Sequence, residues 1–515
     1  MSDSLAVEAN DSTSDLAQEI EIKLVGAIEP LLRHPLLAGK DTCRRLEARY
    51  FDTADWRLSG SGASLRIRAT GGRFEQTLKA ADAPGAVVRS EWNVTAAGEA
   101  PTPGAFPKDA QARLAALLED GALVQFATVK TDRTVRQVSW QDAEIELAFD
   151  NVLIEAGSRS GAFAEMELEL KRGTLADLIA LVQVLPLGPE LQWSLVTKAQ
   201  RAVSLASGLR TKALKAPPVS LPPGTTAEQG FQRIAWSCLA HLIANYRLVA
   251  DAGDAEALHQ CRVALRRLRA ALSLFRLLVA DDRFEALRRA LRDTASVLGP
   301  ARELDVLAAA VERHGEDDLP VDRLQALAEA IEKARVRAYD KAAQLLSGAD
   351  FQQLLFATAH WIEAGAWREA APAELRTMPV ERFGADILRR RRRKLRKAAR
   401  HLADMEVAER HRLRIQVKKL RYATDFLVDI ARSDGKALRR TAFSDALSTL
   451  QDKLGALNDM NVDYGAHLPG LDSPPMHDLL QQLLAGQRKS EKKLLDAAVR
   501  AAAQAMTVRR FWPKD

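Results

Sequence analysis

Glu19, Glu21 and Lys23 take alternate positions in EIEIKL, with Ile20, Ile22 and Leu24 between them. Period-2 alternation marks a half-buried antiparallel strand, and one such strand is an ordinary solvated face. The pattern recurs with chosen charges. LRIR puts Arg66 and Arg68 on one face, TLK adds Lys79, and RSEW adds Arg89 and Glu91. EIELAFD aligns Glu144, Glu146 and Asp150, and EMELEL aligns Glu165, Glu167 and Glu169. Clustered carboxylates at neutral pH need cations, and hard oxygen donors select Mg²⁺ or Mn²⁺. Arginine grips phosphate oxygens by paired hydrogen bonds and lysine as a point charge. Acids, metal and bases together describe a polyphosphate site.

Such faces need elements to position them. In a closed antiparallel barrel, apolar stripes turned inward would leave the charges coating the outside. Turned outward, the stripes would need cover, because exposed rows of Ile and Leu invite aggregation. The amphipathic segments DAQARLAALLEDGAL (109–123) and LADLIALVQVL (175–185) could supply it, and the charges would then line a tunnel.

At 515 residues the chain is too long for one ordinary core, so two or more domains of roughly 200 residues are expected. No run approaches the roughly 20 apolar residues that span a bilayer, which argues against a membrane partner. The start, MSDSLAVEANDSTSD, lacks the basic and apolar regions of a signal peptide, and Cys43, Cys238 and Cys261 are too scattered for disulfides or zinc. A cytoplasmic protein is expected. The Pro- and Gly-rich LRTKALKAPPVSLPPGTTAEQG reads as a linker between a β-rich half and a helical half. The expected bounds are 15–207, a linker at 208–228, and 229–510, the last holding an internal repeat at about 229–375 and 376–510.

The repeat is direct. HQCRVALRRLRAALSLF (259–275) aligns with HRLRIQVKKLRYATDFL (411–427), and LGPARELDVL (298–307) follows the first as LGALNDMNVD (454–463) follows the second. His259, Arg262, Arg266 and Arg269 make one helical stripe, and His411, Arg414, Lys418 and Arg421 make its copy. The run RRRRRKLRK (389–397), with Arg393 and Lys394, adds to the basic field. Neither histidine has a second ligand at i+4, so these stripes read as anion-binding, not zinc-binding.

The β-rich half resembles the CYTH, or triphosphate tunnel metalloenzyme, family over roughly residues 15 to 205. Glu19, Glu21 and Lys23 match its ExExK signature, and YFDT (50–53), LRIR, TLK, Arg89 to Glu91, TDR (131–133), FAEMELEL and TKAQR follow in order. The resemblance implies an eight-stranded antiparallel β tunnel with flanking helices, hydrolysing a terminal phosphoanhydride with Mg²⁺ or Mn²⁺. It implies metal ligands among Glu19, Glu21, Asp150, Glu165, Glu167 and Glu169. It implies phosphate contacts from Lys23, Arg66, Arg68, Lys79, Arg89, Lys130, Arg133 and Lys198. Glu19, Glu21, Lys23 and Glu167 would be catalytic, with Glu167 the candidate to activate water.

The helical half resembles a CHAD, or conserved-histidine α-helical, domain over roughly 225 to 510. That implies an all-α duplicated bundle binding polyphosphate through His259, Arg262, Arg266, Arg269, Arg393, Lys394, His411, Arg414, Lys418 and Arg421, with Arg267 and Lys419 as further contacts. Glu303 in ARELD departs from the expected Asp, and Asn458 with Asp459 stands in the other copy. The pairing of domains favours inorganic triphosphate as substrate, cleaved to pyrophosphate and phosphate. Long-chain polyphosphate would be the partner, and polyphosphate granules a place of association. The alternatives are a class IV-type adenylate cyclase, a thiamine triphosphatase, or a non-enzymatic granule adaptor. Nucleic acid is disfavoured, because no helix-turn-helix, zinc finger or ribonucleoprotein motif accompanies the basic residues.

Overall fold

The computed structural model describes residues 17–70, 72–80, 88–318, 321–431, 433–459, 478 and 491–513; the side chains of Glu19, Arg89 and Asp459 lie outside the described part. The strands are β1 (Ala17–Gly26), β2 (Thr42–Asp52), β3 (Ala63–Thr70), β4 (Arg73–Ala80), β5 (Val88–Ala96), β6 (Val124–Trp140), β7 (Ala143–Ala156), β8 (Arg159–Arg172) and β9 (Leu191–Trp193). The longer helices among them are α1 (Lys108–Leu118), α2 (Leu175–Gln183) and α3 (Lys198–Ser207). Then follow α4 (Ala227–Ala252), α5 (Ala255–Leu274), α6 (Phe284–Val297), α7 (Gly299–Asp318), α8 (Val321–Ser347), α9 (Ala349–Ala364), α10 (Val380–Ala399), α11 (Val407–Phe426), α12 (Asp434–Asp459) and α13 (Glu491–Thr507). Among the described residues, no helix is long and apolar enough to cross a membrane.

The antiparallel sheet runs β5-β4-β3-β2-β6-β7-β8-β1-β9, and β5 also pairs β1, closing eight strands into a barrel. The ninth strand is an addition to the eight expected. β1 pairs β5 only as far as Ile20, and β9 takes over that edge from Leu24 to Gly26, so the backbone groups of β1 find partners. Gly26 sits at φ +136°, where a β-carbon would collide with the Glu190 carbonyl. Only glycine lets the chain after α2 approach this closely.

The apolar side chains point out of the barrel and are covered. α1 lays Ala110 and Leu114 over Leu65, Ile67, Leu78 and Trp92. α2, opened by a Thr174–Asp177 capping box, buries Leu178, Ile179, Leu181 and Val182. Inside, one end is apolar: Ala48, Tyr50, Val129, Val152 and Ile154 pack with Ala199 and Ala202 of α3. The other end carries the charges.

The chain divides into two compact units, the first comprising residues 1–217 with 240–248 and 346–364, the second the remainder. The centre of α4 and all of α9 therefore belong with the sheet. Phe356 stacks on Trp193 at 4.2 Å, Gln352 Oε1 accepts from the Trp193 amide at 3.0 Å, and the Tyr246 hydroxyl donates to the Trp193 carbonyl at 2.6 Å. In the second unit, Phe231 packs on Phe275 and Trp367, and Phe275 stacks on Phe383. Arg392 donates to the carbonyls of Met506, in the last turn of α13, and Val508, just past it, and lies over the rings of Phe443 and Trp512.

Asp52, buried at the end of β2, accepts from the amides of Thr53, Leu58 and Ser59 at 2.7, 2.9 and 2.9 Å. Asp52→Ala would orphan all three donors. Chemical denaturation should show a loss of about 2–4 kcal/mol in the first unit; a loss below about 0.5 kcal/mol would contradict this account of the turn.

Candidate active site

Register turns period-2 charges into rows. β1 pairs β8 with Glu21, Lys23 and Val25 opposite Glu169, Glu167 and Glu165; β7 sets Asp150 opposite Glu165, and β6 sets Arg133 opposite Asp150. Side chains opposite one another lie about 5 Å apart, so four strands deliver their charges to one patch. Asp150 and Glu165 have no exposed surface. Asp150, Glu165 and Glu167 each bring one oxygen within 4.8 Å of the others.

Three cations bind this patch. Lys23 Nζ lies 2.8 Å from Glu167 and 3.7 Å from both Glu165 and Glu21. Arg133 forks onto Asp150 at 2.7 and 2.6 Å and donates to Glu167 at 2.6 Å. Lys198 reaches Asp150 at 2.8 Å and Glu167 at 2.9 Å and makes a short contact with Glu165. It stands first in α3, directly after the Thr197–Gln200 capping box that fixes where the helix begins.

Burial alone would drive these groups toward their neutral forms. The counter-charges outweigh it. Lys198, Lys23 and Arg133 hold Glu167 well below the usual carboxylate range, and the surrounding acids hold Lys23 and Lys198 above the usual lysine range. A carboxylate so depressed is a weak proton acceptor, so this environment opposes the water-activating role expected of Glu167. The donor set suits a hard divalent cation: all ligands are carboxylate oxygens, and Glu165 Oε2 is buried with no hydrogen-bond partner.

Across the barrel, β3 and β4 supply Arg66, Arg68 and Lys79. Arg66 Nε is buried without a partner. Burial and the repulsion of Arg66 pull Arg68 below its ordinary value, although Glu75 sits on it at 2.6 Å. Lys79 Nζ rests on Glu91 at 2.8 Å. The two walls enclose a cavity of about 770 Å³ lined by Glu21, Lys23, Arg66, Arg68, Lys79, Arg133, Glu167, Glu169 and Lys198.

Lys130 does not reach it. Three residues before Arg133 on the same strand, it points to the opposite face, half-exposed and paired with Glu155 at 2.8 Å. Arg44, Tyr50, Arg73 and Glu75 also line the cavity and were not expected there. Period 2 places Arg44 with Leu46 and Tyr50, but the neighbouring charges of Arg45, Glu47 and Arg49 on the other face hide that parity.

In the second unit the basic stripes keep their register. The Nε atoms of Arg262, Arg266, Arg414 and Arg421 are buried without partners. Burial and Arg302, Arg266 and Arg262 lower the His259 imidazole, whereas His411 Nδ1 lies 2.9 Å from Asn458 Oδ1. Arg302 and Asn458 are equivalent positions of the repeat, so the two histidines have diverged. Between the stripes, burial and the repulsion of Arg391, Arg288, Lys394 and Arg269 lower Lys419. The run 389–397 is divided in use. Arg389 pairs with Asp386, Arg391 donates to the Ser273 carbonyl, and Arg392 is structural, whereas Arg390, Arg393, Lys394, Arg396 and Lys397 are exposed. Arg267 lies buried over the Phe426 ring and belongs to the core.

The CYTH domain model matches residues 17–203 and the CHAD domain model residues 233–468. An inorganic triphosphatase from Haemophilus influenzae is 30% identical over 207 residues, which covers 37% of this chain and 56% of that protein. The match thus spans little more than half of that relative. The crystal structure of a CHAD domain from Ricinus communis is 26% identical, covering 58% of this chain and 98% of that one, with a TM-score of 0.49. A putative adenylyl cyclase from Hippeastrum, described as having a dominant triphosphatase activity, is 21% identical, covering 38% of this chain and 97% of its own, with a TM-score of 0.24.

A carboxylate whose folded value is depressed adds stability above its unfolded value and loses it as pH falls through the folded one. Glu167 therefore stabilises the first unit above its ordinary 4.5, and that contribution disappears in acid. The unfolding midpoint of the native protein should fall more steeply between about pH 6 and about pH 3 than that of Glu167→Gln. Parallel acid limbs would contradict the ion pairing.

Proposed function

The chain joins a CYTH domain to a CHAD domain, and from that premise we propose that it hydrolyses inorganic triphosphate to pyrophosphate and phosphate with Mg²⁺ or Mn²⁺, while its helical unit binds long-chain polyphosphate. The observation that carries this reading is one cavity with Glu21, Glu167 and Glu169 on one wall, backed by the buried Asp150 and Glu165, and Arg66, Arg68 and Lys79 on the other. Its aromatic lining is Tyr50 and Phe74, a modest surface for a stacked base. That favours a substrate made of phosphates alone over a nucleotide or thiamine triphosphate.

A divalent ion held by Asp150, Glu165 and Glu167, with Glu21 and Glu169 beside them, would supply a Lewis acid for phosphoryl oxygens and a template for the attacking water. Arg66, Arg68 and Lys79 hold the oxygens of the phosphates that do not react, which fixes the chain in line. Water attacks the terminal phosphorus, the bond to the bridging oxygen breaks, pyrophosphate leaves, and the proton the water gives up passes to a phosphate oxygen of the products. Lys23 and Arg133, anchored on Glu167, present positive charge where it is needed as negative charge spreads over the transferred and leaving groups. Glu167 acts by holding them; no protein nucleophile is involved. The CHAD stripes, His259 to Arg269 and His411 to Arg421, with Arg393 and Lys394, would present positive charge to the polymer in a cytoplasmic protein that associates with polyphosphate granules.

Phosphate release from tripolyphosphate, ATP and thiamine triphosphate tests the reading. Tripolyphosphate should be strongly preferred, Lys23→Met should lower kcat/KM by about 10²-fold or more, and Lys130→Ala should change it less than about twofold. Release from none of the three would leave an adaptor, and a preference for ATP would favour a nucleotide enzyme. Titration with long-chain polyphosphate at fixed salt should show Arg262→Ala, Arg414→Ala binding about tenfold more weakly than native; unchanged affinity would remove the stripes from the polymer site.

A further inference from the structure

Lys198 has more to do than meet a phosphate. Its ammonium touches all three acids of the candidate metal cluster, and the oxygens concerned lie within 4.8 Å of one another. A compact ammonium and a divalent ion with several ligands cannot share so small a space. Lys198 also lines the cavity, whereas Asp150 and Glu165 have no exposed surface, so it stands between these two acids and the substrate side.

We propose that Lys198 is the resident cation of the carboxylate cluster and competes with the divalent ion for it, so that the ion settles fully only when a substrate oxyanion gives the ammonium a new partner. The inference rests on the metal-dependent reading of the site. Charge balance points the same way. Glu21, Asp150, Glu165 and Glu167 face Lys23, Arg133 and Lys198, four negative charges against three positive, so the patch is nearly neutral without metal. Adding a divalent ion overshoots unless one cation withdraws. Lys23 and Arg133 rise from strands whose register is fixed on both sides. Lys198 is the first residue of a helix, with a long side chain free to turn toward the cavity while Ala199 and Ala202 stay in the apolar cluster. Metal and triphosphate should then help each other bind, because both draw Lys198 the same way.

Calorimetric titration of Mg²⁺ into the full chain without substrate tests this. Lys198→Met should bind Mg²⁺ at least about tenfold more tightly than native, Lys198→Arg, which keeps the charge, no more tightly, and Glu165→Gln more weakly. Thermal melts establish that each variant is folded, and Lys198→Gln serves if the methionine variant is not. Equal or weaker binding by a folded neutral variant would overturn the competition while leaving the metal site in place. No Mg²⁺ binding by native, Lys198→Met or Lys198→Gln protein, with Glu165→Gln no different, would overturn the metal reading itself and this inference with it.

Discussion

Four carboxylates and three cations crowded on one inner wall dictate the architecture of the β unit. Removing charges from water costs several kcal/mol per ion, and only close, well-aligned partners offset it. The partners here come from β1, β6, β7, β8 and α3, so the patch exists only if the sheet closes in one register. A slip of one residue would turn every charge outward and every Ile and Leu inward. Covering the outer apolar faces with α1 and α2 is the other half of that choice. Stopping one end of the barrel with α3 does two jobs, since the helix that seals the apolar end also introduces Lys198.

The position of Lys23 depends on residues remote in sequence. Its carbonyl accepts from the Ser194 amide at 2.9 Å, at the end of the short strand β9. That strand is held by Gln352 and Tyr246 on the main chain of Trp193 and by Phe356 on its ring. Two helical segments from beyond the linker thus brace the strand that carries Glu21 and Lys23. A buried amide or carbonyl without a partner is costly, so this brace is specific as well as apolar.

The helical unit shows how a duplication can diverge without losing its plan. Both copies keep the arginine stripe with unpartnered Nε atoms, yet Arg302 in one copy and Asn458 in the other give the two histidines opposite surroundings. One imidazole is disfavoured as a cation by its neighbours, while the other has a neutral hydrogen-bond partner. Equal residues in a repeat need not have equal chemistry, because charge is felt over longer distances than packing.

By itself, the sequence determined the two-part organisation, the β and helical character of each half, the alternation of charged and apolar faces along the strands, and the helical repeat. Each of these is local, a matter of period 2 or 3.6 along a stretch of chain. It also named the carboxylates and most of the cations, since alternate residues on one strand share a face. Tertiary structure alone decided which of them meet. Lys130 fell on the wrong face of a long strand, Arg44 joined the cavity from a strand with charges on both faces, Arg73 joined it on the same face of β4 as Lys79, and Arg392 left the basic run to hold a helix end. The seating of α3 also put Lys198 among three acids, where it helps to depress Glu167. A titration depends on charges a few ångströms away in space, and periodicity along the chain does not encode those distances.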